Sequence, residues 1–104
     1  MMGALLLLVL AGALLCNAIP HLVKGLCGEA FPTPFARPRG EGLSSPGTNF
    51  LWGTANLFAG IVILLTEAHV LGTASGLAAL AGGFVVLGYF CSRHFAAARA
   101  KRGQ

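Results

Sequence analysis

Three long runs of apolar residues, none of which contains a charged side chain, constrain this sequence more than any other feature. They cover residues 1–23, 50–66 and 74–90. A helix needs about 20 mostly apolar residues to cross a bilayer, and the composition agrees, since 56% of the 104 residues are apolar and 10% are charged. Soluble domains carry about a quarter charged residues. The sequence therefore predicts an all-α integral membrane protein with three transmembrane helices in a single membrane domain, 1–104.

The residues between the runs predict where the helices begin and end. Ser45 before Pro46 indicates the start of the second helix, because Ser caps helix N-termini and Pro is tolerated at the first helical position. A short polar stretch around Glu67 and His69 separates the second run from the third and predicts a tight helical hairpin. The predicted spans are residues 2–23, 46–70 and 74–95, with a Pro-rich connection at 24–45 and a basic tail at 96–104.

The distribution of basic residues predicts the orientation. All seven Lys and Arg side chains fall in the first connection or near the C-terminus, and none falls on the other side of the predicted topology. Because basic residues in short loops stay on the cytoplasmic side, we expect the N-terminus outside and the C-terminus in the cytoplasm. The net charge of +4 is explained by this topology and by contact with anionic lipid, so no nucleic-acid partner is inferred.

A cleaved signal peptide is the alternative interpretation of the first run. Residues 16–18 offer a small-residue cleavage site, but the positive n-region is missing. Cleavage would leave two spans, and one basic segment would then contradict the charge rule.

The connection between the first two spans contains three prolines within seven residues, at 32–38. Proline excludes a continuous helix and favours extended or turn geometry. Phe31 and Phe35 lie among these prolines and would suit a segment on the headgroup layer with its rings turned inward. A mobile cytoplasmic linker is the alternative, and composition does not decide between the two.

Three sequence motifs carry a resemblance to a known family. They are Asn17-x-x-Pro20-His21, Phe-Pro-Thr-Pro-Phe-Ala at 31–36, and Ser-Ser-Pro-x-x-Asn-x-x-Trp-Gly-x-x-Asn at 44–56. Together they resemble small uncharacterised bacterial integral membrane proteins, in which a Pro-His pair closes the first span and the Ser-Pro motif opens the second. The resemblance implies a three-span protein of the bacterial inner (plasma) membrane and points to the motif positions, but it implies no substrate.

The polar residues inside the first two spans form the candidate polar site. Asn17 and His21 are four residues apart and share one helix face, and Asn49 and Asn56 lie on one stripe of the second helix. Because the two helices are antiparallel, His21 should lie at the depth of Asn49 and Trp52, and Asn17 at the depth of Asn56. Polar groups inside spans are costly and mark functional sites, but interhelical hydrogen bonds that hold the bundle together are the alternative explanation.

Two further sets of residues are singled out. Glu67 and His69 form a candidate outer gate, although a carboxylate and an imidazole near a turn are often simply solvated. Small residues on the second and third helices predict close helix packing, within the chain or against another copy. These helix-packing residues are Gly53, Gly60, Gly72, Gly76, Ala79 and Gly83.

Three classes of function remain. The first is an interaction, accessory or self-associating membrane subunit, in a homo-oligomer or a larger complex in the bilayer. The second is a homo-oligomeric transporter or channel for a small solute, with the polar site between the first two helices. The third, a membrane enzyme with His21 as its base, lacks a nucleophile and an orienting carboxylate, so no catalytic residue, metal or cofactor is predicted.

Overall fold

The computed structural model describes residues 1–103, and in this part of the chain the protein is all-helical apart from two very short strands. Three helices are long and apolar enough to cross a membrane, which confirms the predicted all-α class and the predicted number of long apolar helices. The elements are α1 (Met2–Leu26), β1 (Phe31–Pro32), β2 (Leu43–Ser44), α2 (Pro46–Thr66), α3 (Ala68–Leu71) and α4 (Ala74–Lys101).

The first helix is the centre of the bundle. Helix α1 packs along α2 on one side and along α4 on the other, whereas α2 and α4 hardly approach each other. The largest buried apolar side chain is therefore on α1, where Leu8 is fully inaccessible together with Ala11. Few residues connect α2 to α4, but these two long helices are held together mainly by their contacts with α1.

The helices differ from the predicted spans at their ends. Helix α1 continues through Pro20 to Leu26. The second span is shorter, since α2 ends at Thr66 and the one-turn helix α3 follows. Helix α4 runs on to Lys101, so most of the predicted tail is helical. Strong helix formers explain this extension, because three consecutive alanines at 96–98 continue the helix.

The starts of α2 and α4 are capped by hydroxyl side chains. The Ser45 hydroxyl accepts a hydrogen bond from the Thr48 amide at 3.1 Å, and Pro46 occupies the first helical position, which confirms the predicted start of α2. Thr73 does the same for α4 by accepting from the amide of Gly76 at 3.0 Å.

Glycines let the backbones of α1 and α4 meet directly. A Cβ atom on Gly83 would lie 1.9 Å from the carbonyl oxygen of Val9, and one on Gly12 would lie 2.1 Å from that of Leu80. No side chain fits at such distances, so this interface requires glycine from both helices.

The remaining predicted packing residues divide into two groups. Gly53 and Gly60 contact Leu22 and Leu15 of α1, and a Cβ on Gly76 would overlap the Val70 carbonyl. Around Gly72 a Cβ would meet nothing closer than 3.7 Å, and Ala79 is half-buried. Four of the six predicted residues therefore pack tightly within the chain.

The connection, residues 27–45 in the structure, is folded against the helices. Strands β1 and β2 pair antiparallel, with Phe31 opposite Ser44. Thr33 is 1% exposed, and its carbonyl accepts hydrogen bonds from the amides of Ala36 and Gly40. The connection is therefore packed on the bundle, which argues against a free linker, and its predicted position on the headgroup layer stays a prediction.

The far end of the connection is tied to α4. The Glu41 carboxylate forms an ion pair with Lys101 at 2.9 Å, and its backbone carbonyl accepts a hydrogen bond from the Arg102 guanidinium. The Lys101 ammonium holds the pKa of the Glu41 carboxyl below its usual value, first through its hydrogen bond to the carboxylate and then through its charge. At the other end, the ammonium of Lys24 lies 2.7 Å from Glu29 and lowers the pKa of that carboxyl in the same way.

Candidate functional site

The structure brings the polar residues of α1 and α2 together in pairs. The Nδ2 of Asn17 donates a hydrogen bond to the Oδ1 of Asn56 at 3.1 Å. One helical turn further along α1, the Nδ1 of His21 lies 2.7 Å from the Oδ1 of Asn49. The two stripes therefore face each other at the depths expected from the antiparallel arrangement.

Asn49 is the most connected member of this cluster and is fully buried. Its Nδ2 donates to the backbone carbonyls of Phe31, Ser45 and Ser44 at 2.9, 3.1 and 3.3 Å. The atom that contacts the carbonyl groups must be the donating Nδ2 of Asn49. The Oδ1 therefore faces His21 and accepts a hydrogen bond from it. In the neutral ring Nδ1 is then the protonated nitrogen, and Nε2 is an acceptor.

The Asn17–Asn56 pair is also anchored beyond its own contact. Asn56 donates from Nδ2 to the carbonyl oxygen of Trp52 at 2.8 Å, and the Sγ of Cys91 on α4 lies 3.7 Å from the Oδ1 of Asn17. No asparagine of the cluster donates to the Cys16 carbonyl that Pro20 leaves without its helical partner. The polar groups thus connect the three helices rather than compensate for the proline.

Aromatic rings cover the side of His21 that faces away from α2. The ring centroid of Phe31 lies 5.5 Å from that of His21 and 4.6 Å from that of Phe95 on α4. His94 stacks on Phe90 and its Nε2 lies 2.7 Å from the carbonyl oxygen of Gly40. These contacts join the connection to α4.

A cavity of about 160 Å³ lies among these groups, between α1, α2, α4 and the connection. Two hydrogen-bonding groups at it are unusual. His21 is 2% exposed, yet its Nε2 has no hydrogen bond to residues 1–103. The buried indole N–H of Trp52, which also lines the cavity, has no partner in the same part of the chain. The cavity therefore presents the indole N–H of Trp52 and the Nε2 of His21. The polar side chains of Asn17, Thr33 and His94, which also line it, are engaged in hydrogen bonds.

The two residues of the predicted outer gate are not brought together. Glu67 ends α2 and begins α3, and His69 lies exposed within α3. No hydrogen bond or ion pair joins their side chains in the described chain. Within residues 1–103, no three His, Cys, Asp or Glu side chains are close enough to share a metal ion.

Sequence reasoning missed several residues of this site. His94, Phe95 and Cys91 were given no role in it, and Thr33 entered only as a position of the 31–36 motif. The Phe-x-x-x-His-Phe stretch at 90–95, beside the end of an apolar run, was a usable signal for an aromatic cluster. No periodicity in the sequence indicates that the Gly40 carbonyl meets His94, because that contact depends on how the connection folds.

Comparison with known proteins adds no assignment to this geometry. No protein-family model matches the sequence, and no similar curated protein or solved structure was found. The motif resemblance described above therefore stays a prediction.

Proposed function

We propose that the chain is a small integral membrane subunit that acts by association, with a second copy of itself or within a larger membrane complex. The surface that carries the interaction is the outward face of α4. The polar cluster of α1 and α2 has a structural role in this proposal, since its side chains are engaged with one another and with the connection.

Exposure supports the choice of α4. Only 11% of its most apolar stretch is buried within the chain, against 22% for α1 and α2. Large apolar side chains remain uncovered along it, with Leu77 at 56%, Val86 at 71% and Tyr89 at 65% exposure. Lipid alone would accept such a face, so a further feature has to distinguish a protein partner.

That feature is a second small-residue stripe, and it is the observation that carries the proposal. Ala74, Ala78 and Gly82 recur every four residues and are all exposed. A Cβ on Gly82 would meet no described atom within 4 Å. The neighbouring Gly83 packs against α1, so one stripe of α4 is used inside the chain and the other is open. Small residues at this spacing let two transmembrane helices approach closely.

The location and orientation belong to the same proposal. We infer a multi-pass protein of the bacterial inner membrane with the C-terminus in the cytoplasm. The ion pair between Glu41 and Lys101 supports it, because it holds the connection at the same end of the bundle as the basic end of α4. All seven Lys and Arg residues belong to these two regions, and basic residues stay on the cytoplasmic side.

The mass of the complex in nanodiscs tests the association. Gly82→Leu should reduce the assembly to the single chain, because a side chain at the open stripe keeps a partner helix away. Ala59→Leu is the matched control, since Ala59 is exposed on α2. An unchanged mass for Gly82→Leu, or the same loss for both variants, would refute the proposal. Gly83→Leu is unsuitable because it would disrupt the bundle itself.

The cavity supports a second candidate function, a homo-oligomeric transporter or channel for a small solute. The donor of Trp52 and the acceptor of His21 would hold the solute in this case. Trp52→Phe removes the N–H and keeps an aromatic ring, so it should reduce flux into proteoliposomes without unfolding the bundle. Substituting His21 or Asn56 would break interhelical hydrogen bonds and would not separate transport from stability. Flux that is equal in the wild type and Trp52→Phe would count against this function.

A further inference from the structure

The cytoplasmic end of the seam between α1 and α4 widens into a basic groove of about 720 Å³. Lys24 of α1, Arg99 of α4 and Arg102, which caps α4, line it, and Glu29 is the one carboxylate among the described residues that do so. Glu29 is already neutralised by its ion pair with Lys24. Arg99 is exposed and makes no hydrogen bond or ion pair within residues 1–103. The groove therefore has a guanidinium available for an anion.

The same seam continues towards the middle of the helices as an apolar groove of about 330 Å³. Ile19 and Pro20 of α1 form one wall, and Phe84 and Gly88 of α4 belong to the other. The hydroxyl of Ser92 is the only hydroxyl side chain that lines it. Gly88 lets α1 approach α4 closely here, because a Cβ at this position would lie 3.0 Å from the Sγ of Cys16.

The two grooves are consecutive along one face of α4. Phe95 lines both, and the α4 residues of the seam recur at helical spacing from Phe84 to Arg99. At 1.5 Å per residue this face is roughly 22 Å long. The seam is thus cationic at one end and apolar along the rest. This distribution matches a ligand with a charged headgroup and an acyl chain.

We propose that this seam binds one anionic phospholipid, with its phosphate at Arg99 and an acyl chain in the apolar groove. Arginine suits the phosphate because its planar guanidinium donates two parallel hydrogen bonds to phosphate oxygens. Lys24 lies at the mouth but is already paired with Glu29, so Arg99 carries the charge that attracts the phosphate. The apolar groove explains why the ligand is a lipid, since free phosphate would leave that part of the seam unfilled.

This site lies apart from the association stripe. Arg93 is eleven residues from Gly82 and shares its face of α4, whereas Arg99 belongs to the seam with α1. The lipid site shares only the membrane location with the proposed function. Loss of lipid binding with intact assembly, or the reverse, therefore separates the failure of one from the failure of the other.

Native mass spectrometry of the full chain, extracted from vesicles of dioleoyl phosphatidylglycerol and dioleoyl phosphatidylcholine, tests the proposal. The wild type should retain one phosphatidylglycerol in preference to phosphatidylcholine. Arg99→Gln should bind phosphatidylglycerol about tenfold more weakly than the control Arg93→Gln, because it loses a charge-assisted hydrogen-bond pair rather than general surface attraction. Equal losses in the two variants would overturn the site.

A second pair of variants tests the groove without changing the charge. Ala96 lines the basic groove and Ala97 does not, and both are exposed. Ala96→Leu should displace the lipid and Ala97→Leu should not. Equal retention of phosphatidylglycerol by Ala96→Leu and the wild type overturns the proposal. If the wild type retains phosphatidylcholine as well as phosphatidylglycerol, the role of Arg99 is overturned. If excess inorganic phosphate displaces the lipid, the role of the acyl chain is overturned.

Discussion

A single amide side chain, that of Asn49, connects three parts of the molecule. Its Oδ1 accepts a hydrogen bond from His21 of α1, its Nδ2 donates to the Phe31 carbonyl of the connection, and the residue lies one turn into α2. Each of these groups would be buried without a partner if the amide were absent. A buried polar group that loses its partner costs about 1–3 kcal/mol. Asn49 should therefore contribute strongly to the free energy of unfolding.

Asn49→Ala should therefore lower the free energy of unfolding by about 1–3 kcal/mol and detach the connection from the helices. Denaturation in detergent followed by far-UV circular dichroism measures the first effect, and hydrogen exchange of residues 31–36 measures the second. Thr54→Ala is the control, because Thr54 lies on the same helix and makes no side-chain hydrogen bond within residues 1–103. Equal stability of the two variants would show that the amide is dispensable.

The polar pairs could be predicted from the sequence, whereas their neighbours could not. Spacings of four residues on α1 and seven on α2 each keep the polar side chains on one helix face, and the antiparallel arrangement places Asn17 opposite Asn56. The contact from Asn49 to Phe31 depends on strand pairing inside a Pro-rich segment with no periodicity. The contact of His94 could not be predicted either, because its partner is a backbone carbonyl, a group that every residue has.

At the level of the helices, two adjacent glycines have opposite environments. Gly83 touches the backbone of α1, and Gly82 faces open space. Gly83→Ala should destabilise the packing of α1 on α4 by about 1–3 kcal/mol, because the added methyl group forces the two backbones apart. Gly82→Ala should leave the thermal midpoint of the monomer unchanged. A lower midpoint for Gly82→Ala than for Gly83→Ala would contradict the arrangement of these helices.

The docking of the connection should depend on pH through Glu41. Because Lys101 lowers the pKa of this carboxyl in the folded state, its contribution is complete above the unfolded pKa of about 4.5. The contribution is lost as the pH falls through the lower folded value. Trp52 is the only tryptophan and packs edge-on to Phe35 of the connection, with centroids 5.1 Å apart.

Fluorescence of Trp52 should therefore be constant near neutrality and change below about pH 4.5. Glu41→Gln should remove this acid transition. At neutral pH the connection of this variant should dock less firmly than that of the wild type, because the ion pair with Lys101 is absent. An acid transition of the same size in Glu41→Gln would assign the change to another group.

Helix ends were predicted less well than helix number. Uncharged runs identify three spans because burial in lipid depends on composition summed over about 20 residues. The ends of α1 and α4 lie beyond those runs, since Lys and Arg side chains stabilise the last helical turn although they end an apolar run. Capping by Ser45 was visible because it depends on adjacent residues alone.

For the whole molecule, one exposed cysteine reports the orientation. Cys27 caps α1 and is exposed, whereas Cys16 and Cys91 are half-buried in the helices. A membrane-impermeant maleimide should label Cys27 only from the side that carries the C-terminus, as measured in right-side-out and inverted vesicles. Cys27→Ser should abolish the labelling. Labelling of the wild type from the opposite side alone would invert the proposed topology.

The central position of α1 also bears on biosynthesis. Helix α1 leaves the ribosome before α2 and α4, and both later helices find their main packing surface on it. We expect α2 and α4 to be inserted next to a partner that is already in place, so the hairpin does not need to be stable alone. Proteolytic removal of α1, as a signal peptidase would cause, would take away the one surface that the other two helices share.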